Sequence, residues 1–260
     1  MAAPVYSLSL DEFRSYTKKG NLIPLYREIL ADQDTPVSAF AKIDHGPSAY
    51  LLESIQGGEK WARYSFLGSG SPIVMVEDRG DLCVRKGARA SRIPSRGAPL
   101  DRVQEFMEVY RPVTVPGLPR FVGGAVGYLG YDMVKTFEEL PSGRKDHLGL
   151  PDFAFLLTDT LLIFDNVSQK IKVVANAHVK SVSDRDIRSA YREATGKIER
   201  MIARLRRPLR KTAPKRRRSS IRFTPNMSKA DFEKMVARAQ EYIKAGDIFQ
   251  CVLSQRWETN

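Results

Sequence analysis

The sequence has few of the residues that usually give a function away. Two cysteines in 260 residues, Cys83 and Cys251, fit neither a disulfide framework nor a metal-ligand spacing. Three histidines, His45, His147 and His178, are scattered without ligand spacing and are expected on the surface or in turns. No apolar run approaches the roughly 18 residues that a bilayer crossing needs. The amino terminus lacks a basic stretch followed by an apolar core, so no secretory signal is read there. Two lone thiols without such a signal imply a reducing, cytoplasmic setting. Acidic residues are missing from one stretch altogether. Ten basic residues and no acid lie between Arg204 and Arg222, and removing them from a net charge of +12 leaves +2. That stretch holds Pro208 and Pro214, has no amphipathic period and interleaves no stacking aromatics. It reads as a solvated linker, not as a nucleic-acid or membrane contact.

What is present is an ordinary globular composition, 42% hydrophobic and 28% charged, and long enough to bury a substantial core. Ser9 with Glu12 forms a capping box before a short helix that Gly20 stops. Residues 24–29 read as a connector, and Thr35-Pro36 opens a second helix. From 49 to 86 the texture is that of short strands: 49–54, 62–67, 73–77 and 82–86, separated by glycine-containing turns. Leu100, Val103, Phe106, Met107 and Tyr110 recur at helical spacing. A hairpin is expected from 153–164 and 170–177, turning at Asp165-Asn166. Ser183 with Asp186 caps a long helix, and Ser228 with Asp231 caps another that Gly246 ends.

The fold class expected is α+β: an antiparallel, sheet-rich domain with flanking helices, followed by the start of a second α+β domain. The boundaries read as 1–203 for the first domain, 204–222 for the linker and 223–260 for the start of the second. About 38 residues are too few to build a core alone.

The most informative segment is the last. Alternation over 248–257 predicts a strand: Ile248, Gln250, Val252, Ser254 and Arg256 face one way, Phe249, Cys251, Leu253, Gln255 and Trp257 the other. One face is mostly oily. The other carries an amide, a hydroxyl and a guanidinium, as the wall of a polar cavity would.

The string Gly246-Asp247-Ile248-Phe249-Gln250-Cys251-Val252-Leu253-Ser254-Gln255-Arg256-Trp257 resembles the opening of the chorismate-binding domain of anthranilate synthase component I. Two further strings fit that family in order. Leu51, Leu52, Glu53 and Ser54 resemble the L-L-E-S element of its tryptophan-feedback site, and 121–132 resembles its G-G-x-V-G-Y-x-[GS]-Y-D segment. Taken alone, 51–54 would be the end of an ordinary strand. The resemblance implies instead that Leu52, Glu53 and Ser54 line a pocket for L-tryptophan, with a carboxylate available to the ligand's ammonium. The 123–130 stretch is not a dinucleotide fingerprint, since Ala125 breaks G-x-G-x-x-G. It reads as a strand whose glycines allow close backbone approach, with Tyr128 and Tyr131 on nearby faces.

Gln250 bears on the chemistry implied. Related enzymes that add water to chorismate carry a lysine general base at the corresponding strand position. Glutamine cannot be a base, which fits ammonia as nucleophile and makes Gln250 a wall of the active site. The resemblance implies conversion of chorismate and ammonia to anthranilate and pyruvate. Ammonia would come from glutamine through an amidotransferase partner, component II, and L-tryptophan would inhibit. It also implies Mg2+, held by carboxylates expected beyond residue 260, so that these residues alone should be inactive. Aminodeoxychorismate synthase component I, of the folate branch, is the near alternative, though it more often reads C-Y-Q-x-N-L in the last strand. A non-enzymatic tryptophan sensor is the alternative of another class.

Overall fold

The computed structural model describes residues 5–44, 46, 48–53, 63–95, 97–140, 148–209 and 221–259. Two compact units divide the chain, Met1–Arg210 and Lys211–Asn260. In the first, helix α1 (Leu10–Tyr16) begins with both hydrogen bonds of the Ser9/Glu12 capping box, and α2 (Pro36–Ile43) begins with the Thr35/Ser38 equivalent. Strand β1 is Leu22–Leu30. It is followed by β2 (Ala49–Leu52), β3 (Tyr64–Ser69), β4 (Ile73–Asp78), β5 (Asp81–Lys86) and β6 (Arg89–Ile93). Helix α3 (Pro99–Glu108), strand β7 (Gly124–Leu129) and a 3-10 turn (Tyr131–Thr136) lead to β8 (Phe153–Thr158), β9 (Thr160–Asp165) and β10 (Lys170–His178). Helix α4 (Asp184–Leu205) closes the unit, its first turn capped by Ser183.

The strands form two five-stranded antiparallel sheets, ordered β1-β10-β9-β3-β2 and β6-β5-β4-β8-β7. Residues 24–29, expected to connect, instead lie in edge strand β1. Pro24 suppressed the strand signal, yet a proline is tolerated at an edge where its missing N–H has no ladder partner to meet. The expected hairpin is also more divided than its pattern. Residues 153–164 do not make one strand: β8 belongs to the second sheet and β9 to the first, with Asp159 alone between them. Strand β6 is an addition, too polar to show periodicity.

One face of the first sheet, with Leu25, Leu67, Leu162, Phe164, Ile171 and Val173, packs against α1, α2 and α4. The 3.6-residue spacing of Ile187, Ala190, Ala194, Ile198, Met201 and Leu205 brings all six into that core. Arg27 on β1 reaches Glu199 on α4 at 2.7 Å, and the Tyr6 hydroxyl donates to the same carboxylate. The second sheet has its own smaller core around Met75, Leu82, Val84, Met133 and Phe153, against α3.

In the second unit, β11 (Thr224–Pro225) and β12 (Trp257–Glu258) pair around α5 (Lys229–Ala245). Gly246 ends α5 in the left-handed region, φ 83°. The strand expected over 248–257 is not formed: only Trp257 and Glu258 are paired, and residues 247–256 are irregular. Among the described residues this segment has no neighbouring strand, and an isolated strand leaves its N–H and C=O groups to water. No residue from 221 to 259 is buried. Among the described residues no helix is long and apolar enough to cross a membrane.

Candidate functional site

Strand β2 lies at an edge of the first sheet, and its alternation divides the leucine pair. Leu51 packs on the main core, while Leu52, opposite Phe66, turns to the other face and is 47% exposed. Glu53 follows, exposed, at the end of the strand. Ser54 lies outside the described residues. On the Leu52 face stand aromatic side chains that the periodicity did not mark as functional. Phe66 meets Phe121 edge-on at 5.1 Å and lies 6.3 Å from Tyr64. Such perpendicular pairs stabilise a wall beyond their area alone. Beneath them Leu161, Ile163 and Val174 are buried. The alternation of Tyr64, Phe66 and Gly68 in β3 could have shown this wall. So could Phe121, which opens the glycine-rich segment.

Charge at this face is tightly held. Arg63 grips Asp165 with two hydrogen bonds, 3.0 and 2.7 Å, while its guanidinium lies 5.0 Å from the centre of the Tyr64 ring. The Arg63 bonds, aided by N–H groups of Ser168 and Val167, hold Asp165 down to a pKa of about 2 against the opposing effect of burial. Lys172 pairs with Glu28 at 2.7 Å and lies over Tyr26. The Lys172 bond lowers the Glu28 pKa. At the strand's other end burial pushes the Tyr50 hydroxyl up to about 12. What the described residues of this corner offer chemically is an exposed carboxylate, Glu53, beside an apolar, partly aromatic surface.

The glycine-rich segment is explained by packing. A Cβ on Gly127 would sit 2.8 Å from the Ala154 carbonyl carbon and 2.9 Å from Phe155 Cα, both backbone of the neighbouring strand. Gly123 has φ 147° and lies against the Asn176 carboxamide. Tyr128 donates to the Pro151 carbonyl at 3.0 Å, and Tyr131 is exposed.

Gln250 sits exposed in the irregular 247–256 segment of the second unit. Gln255, nearby in sequence, donates to the Met227 carbonyl at 3.1 Å. Among the described residues no three His, Cys, Asp or Glu side chains gather as a metal site. His178 packs on Tyr110 at 5.1 Å between ring centres, and burial lowers its pKa. His45 and His147 lie outside the described residues. Cys83 is half-buried and Cys251 exposed, both as free thiols.

Comparison with known proteins gives a consistent picture. The family model for chorismate binding enzymes matches residues 54–260, crossing both units. Anthranilate synthase component 1 of Acetivibrio thermocellus is 38% identical over 97% of this chain and 52% of its own length. The protein of the same name from Pseudomonas aeruginosa is 38% identical over 96% of this chain and 51% of its own. The crystal structure of anthranilate synthase component I from Streptococcus pneumoniae TIGR4 superposes with a TM-score of 0.55. Its identity is 28%, over 88% of this chain and 48% of that one. The chain thus spans about half the length of the curated relatives it matches. With its α+β architecture, its antiparallel sheets and this match over most of its length, the chain belongs to the chorismate-binding enzyme family.

Proposed function

We propose that this chain forms part of the large subunit of an anthranilate synthase. The reaction is chorismate plus ammonia to anthranilate and pyruvate, the first step toward tryptophan. One observation carries the reading: a chorismate-binding match over 54–260 in a chain whose relatives are named anthranilate synthase component 1. In this reading residues 1–203 are regulatory, 204–222 form a basic linker and 223–260 begin the chorismate-binding domain. Ammonia is delivered from glutamine by an amidotransferase subunit. The setting is the cytoplasm, where the free thiols of Cys83 and Cys251 stay reduced.

Feedback inhibition is assigned to the β2 corner. Glu53 accepts hydrogen bonds from the ammonium of L-tryptophan, Ser54 contributes a hydroxyl, and Leu52 with the Phe66 wall meets the indole. Gln250 supports amination over hydration, because a neutral amide cannot deprotonate water, whereas ammonia attacks without that help. It reaches the active-site wall once the 248–257 segment gains a strand to pair with. Magnesium enters this proposal only through groups outside the described residues, and these 260 residues alone form no anthranilate.

The test is product analysis on the full-length polypeptide that carries this chain, supplied with chorismate, ammonium and Mg2+. Equal amounts of anthranilate and pyruvate, suppressed by L-tryptophan, are the expected result. An aminated chorismate that keeps its pyruvyl group would place the protein in the folate branch. Calorimetry with L-tryptophan then separates Glu53→Gln, expected to bind about tenfold more weakly through loss of a charge-assisted hydrogen bond, from a corner with no ligand, where the variant changes nothing.

A further inference from the structure

The Pro24 carbonyl, on the outer side of edge strand β1, has no donor among the described residues. On the outer side of β1, Val113 N donates to the Leu22 carbonyl at 3.0 Å and Leu22 N to the Arg111 carbonyl at 3.1 Å. Two pairs along, Ser7 N donates to the Tyr26 carbonyl at 2.9 Å, and Tyr26 N donates to the Ser7 hydroxyl at 3.0 Å. Strand alternation puts Pro24, midway between them, on the same outer side. Its ring has no N–H to offer. Among the described residues no group donates to its carbonyl.

Pro24 lines a cavity of about 260 Å³ together with Leu22, Met107, Tyr110, Val122 and Asn176, and no charged side chain lines it. Asn176, directly opposite Pro24 in the sheet, is only 6% exposed. Its Nδ2 donates to the Val122 carbonyl at 2.7 Å, and no described group donates to its Oδ1. Two acceptors thus line a largely apolar wall, where a ligand's N–H or O–H can meet them. Space is sufficient, since an apolar cavity of about 150 Å³ accommodates benzene. An adjoining hollow of about 360 Å³ shares Pro24 and Val122, leaving room for a substituent. The glycines of 123–124 keep the wall open: a side chain at Gly123 would collide with the Asn176 carboxamide.

We propose that this cavity binds a small, uncharged ring compound carrying one N–H or O–H donor, which answers Pro24 and Asn176 while the ring fills the apolar space. Among the described residues no charged side chain lines the 260 Å³ cavity, which disfavours a charged group there, while Arg120 lines only the adjoining hollow. Its lining includes none of Leu52, Glu53, Phe66 or Gln250, so the proposal stands or falls independently of the chorismate reading.

Phenol and anisole are the probes, because they share a ring and differ in the donor. Each is titrated into the full 260-residue chain and followed by amide and side-chain NMR. Phenol should shift the Asn176 side-chain amide and the backbone amides of Gly123 and Gly124 saturably. It should bind roughly fivefold to tenfold tighter than anisole, the effect of one hydrogen bond to a neutral acceptor. In Asn176→Leu, with unchanged far-UV circular dichroism, that preference should narrow. Absence of these shifts overturns the proposal, and so do equal affinities for the two compounds. Should Asn176→Leu fail to fold, the comparison in the unaltered chain decides alone.

Discussion

Replacing Asp165 with asparagine tests the electrostatic account of the first sheet. Asp165 ends β9, is 4% exposed and receives two hydrogen bonds from Arg63. Its Oδ1 also accepts the N–H groups of Val167 and Ser168, each at 3.2 Å, which shapes the turn into β10. The carboxyl titrates at about 2 in the folded chain against an ordinary 3.8. That depression corresponds to about 2 kcal/mol of stability held by the ionised form. Because the folded value is the lower one, that stability is fully present above about pH 4. It is lost as the pH falls from there toward 2. Asp165→Asn keeps the shape and part of the turn but removes the charge. It should therefore cost about 2 kcal/mol at pH 7, a fall in melting temperature of roughly 4–8 °C for a unit of this size. The deficit should shrink steadily between pH 4 and 2.5, where the unaltered protein loses the same contribution. Urea unfolding of both proteins across that range, followed by circular dichroism, is the assay. A deficit that stays constant with pH would refute the argument, as would a cost below about 0.5 kcal/mol at pH 7, the scale of an exposed pair.

Gly127→Ala should destabilise the second sheet by more than about 2 kcal/mol, because the new methyl meets backbone atoms of β8 that cannot rotate aside; an unchanged melting temperature would contradict the close approach. Gln169 occupies φ 52° in the β9–β10 turn. Gln169→Gly should be neutral or stabilising by up to about 1 kcal/mol in denaturant titration, and a loss would mean that the side chain has a role of its own. Ser183→Ala removes the hydroxyl that accepts the Asp186 N–H at the start of α4. The expected cost is about 1 kcal/mol by thermal unfolding, and faster amide exchange in the first turn would locate it.

What could be read from the sequence was what local chemistry encodes. The Ser9, Ser183 and Ser228 caps each marked a helix that the structure contains, because a side-chain acceptor at that position satisfies N–H groups within three residues, and Pro36 marked the start of α2. Gly127 was likewise legible, its close approach being the reason a strand tolerates glycine there. What failed depended on distant partners. Whether Pro24 connects or pairs is decided by β10, some 150 residues away in sequence, and whether 153–164 is one strand or two is decided by which sheets receive it. The 248–257 segment has the alternation of a strand but no described neighbour to complete it. At the β2 corner, Leu52 and Glu53 were marked by resemblance alone, and their role is a proposal. The Phe66–Phe121 wall joins side chains 55 positions apart: the alternation of β3 marks Phe66, but its meeting with Phe121 depends on the fold.

The single residue between β8 and β9 has a consequence for how this chain can change over generations. Asp159 is the whole connection between a strand of one sheet and a strand of the other. Side chains alternate faces with a period of two, so the length of this joint fixes the parity of both sheets at once. One residue inserted there would turn β9 over relative to β8, sending Leu162 and Phe164 to the core that now holds Leu161 and Ile163, or forcing the equivalent exchange in β8. Most loops tolerate changes of length. An added residue here would re-aim a strand buried on both faces, so the joint's length should vary less than that of the surface loops.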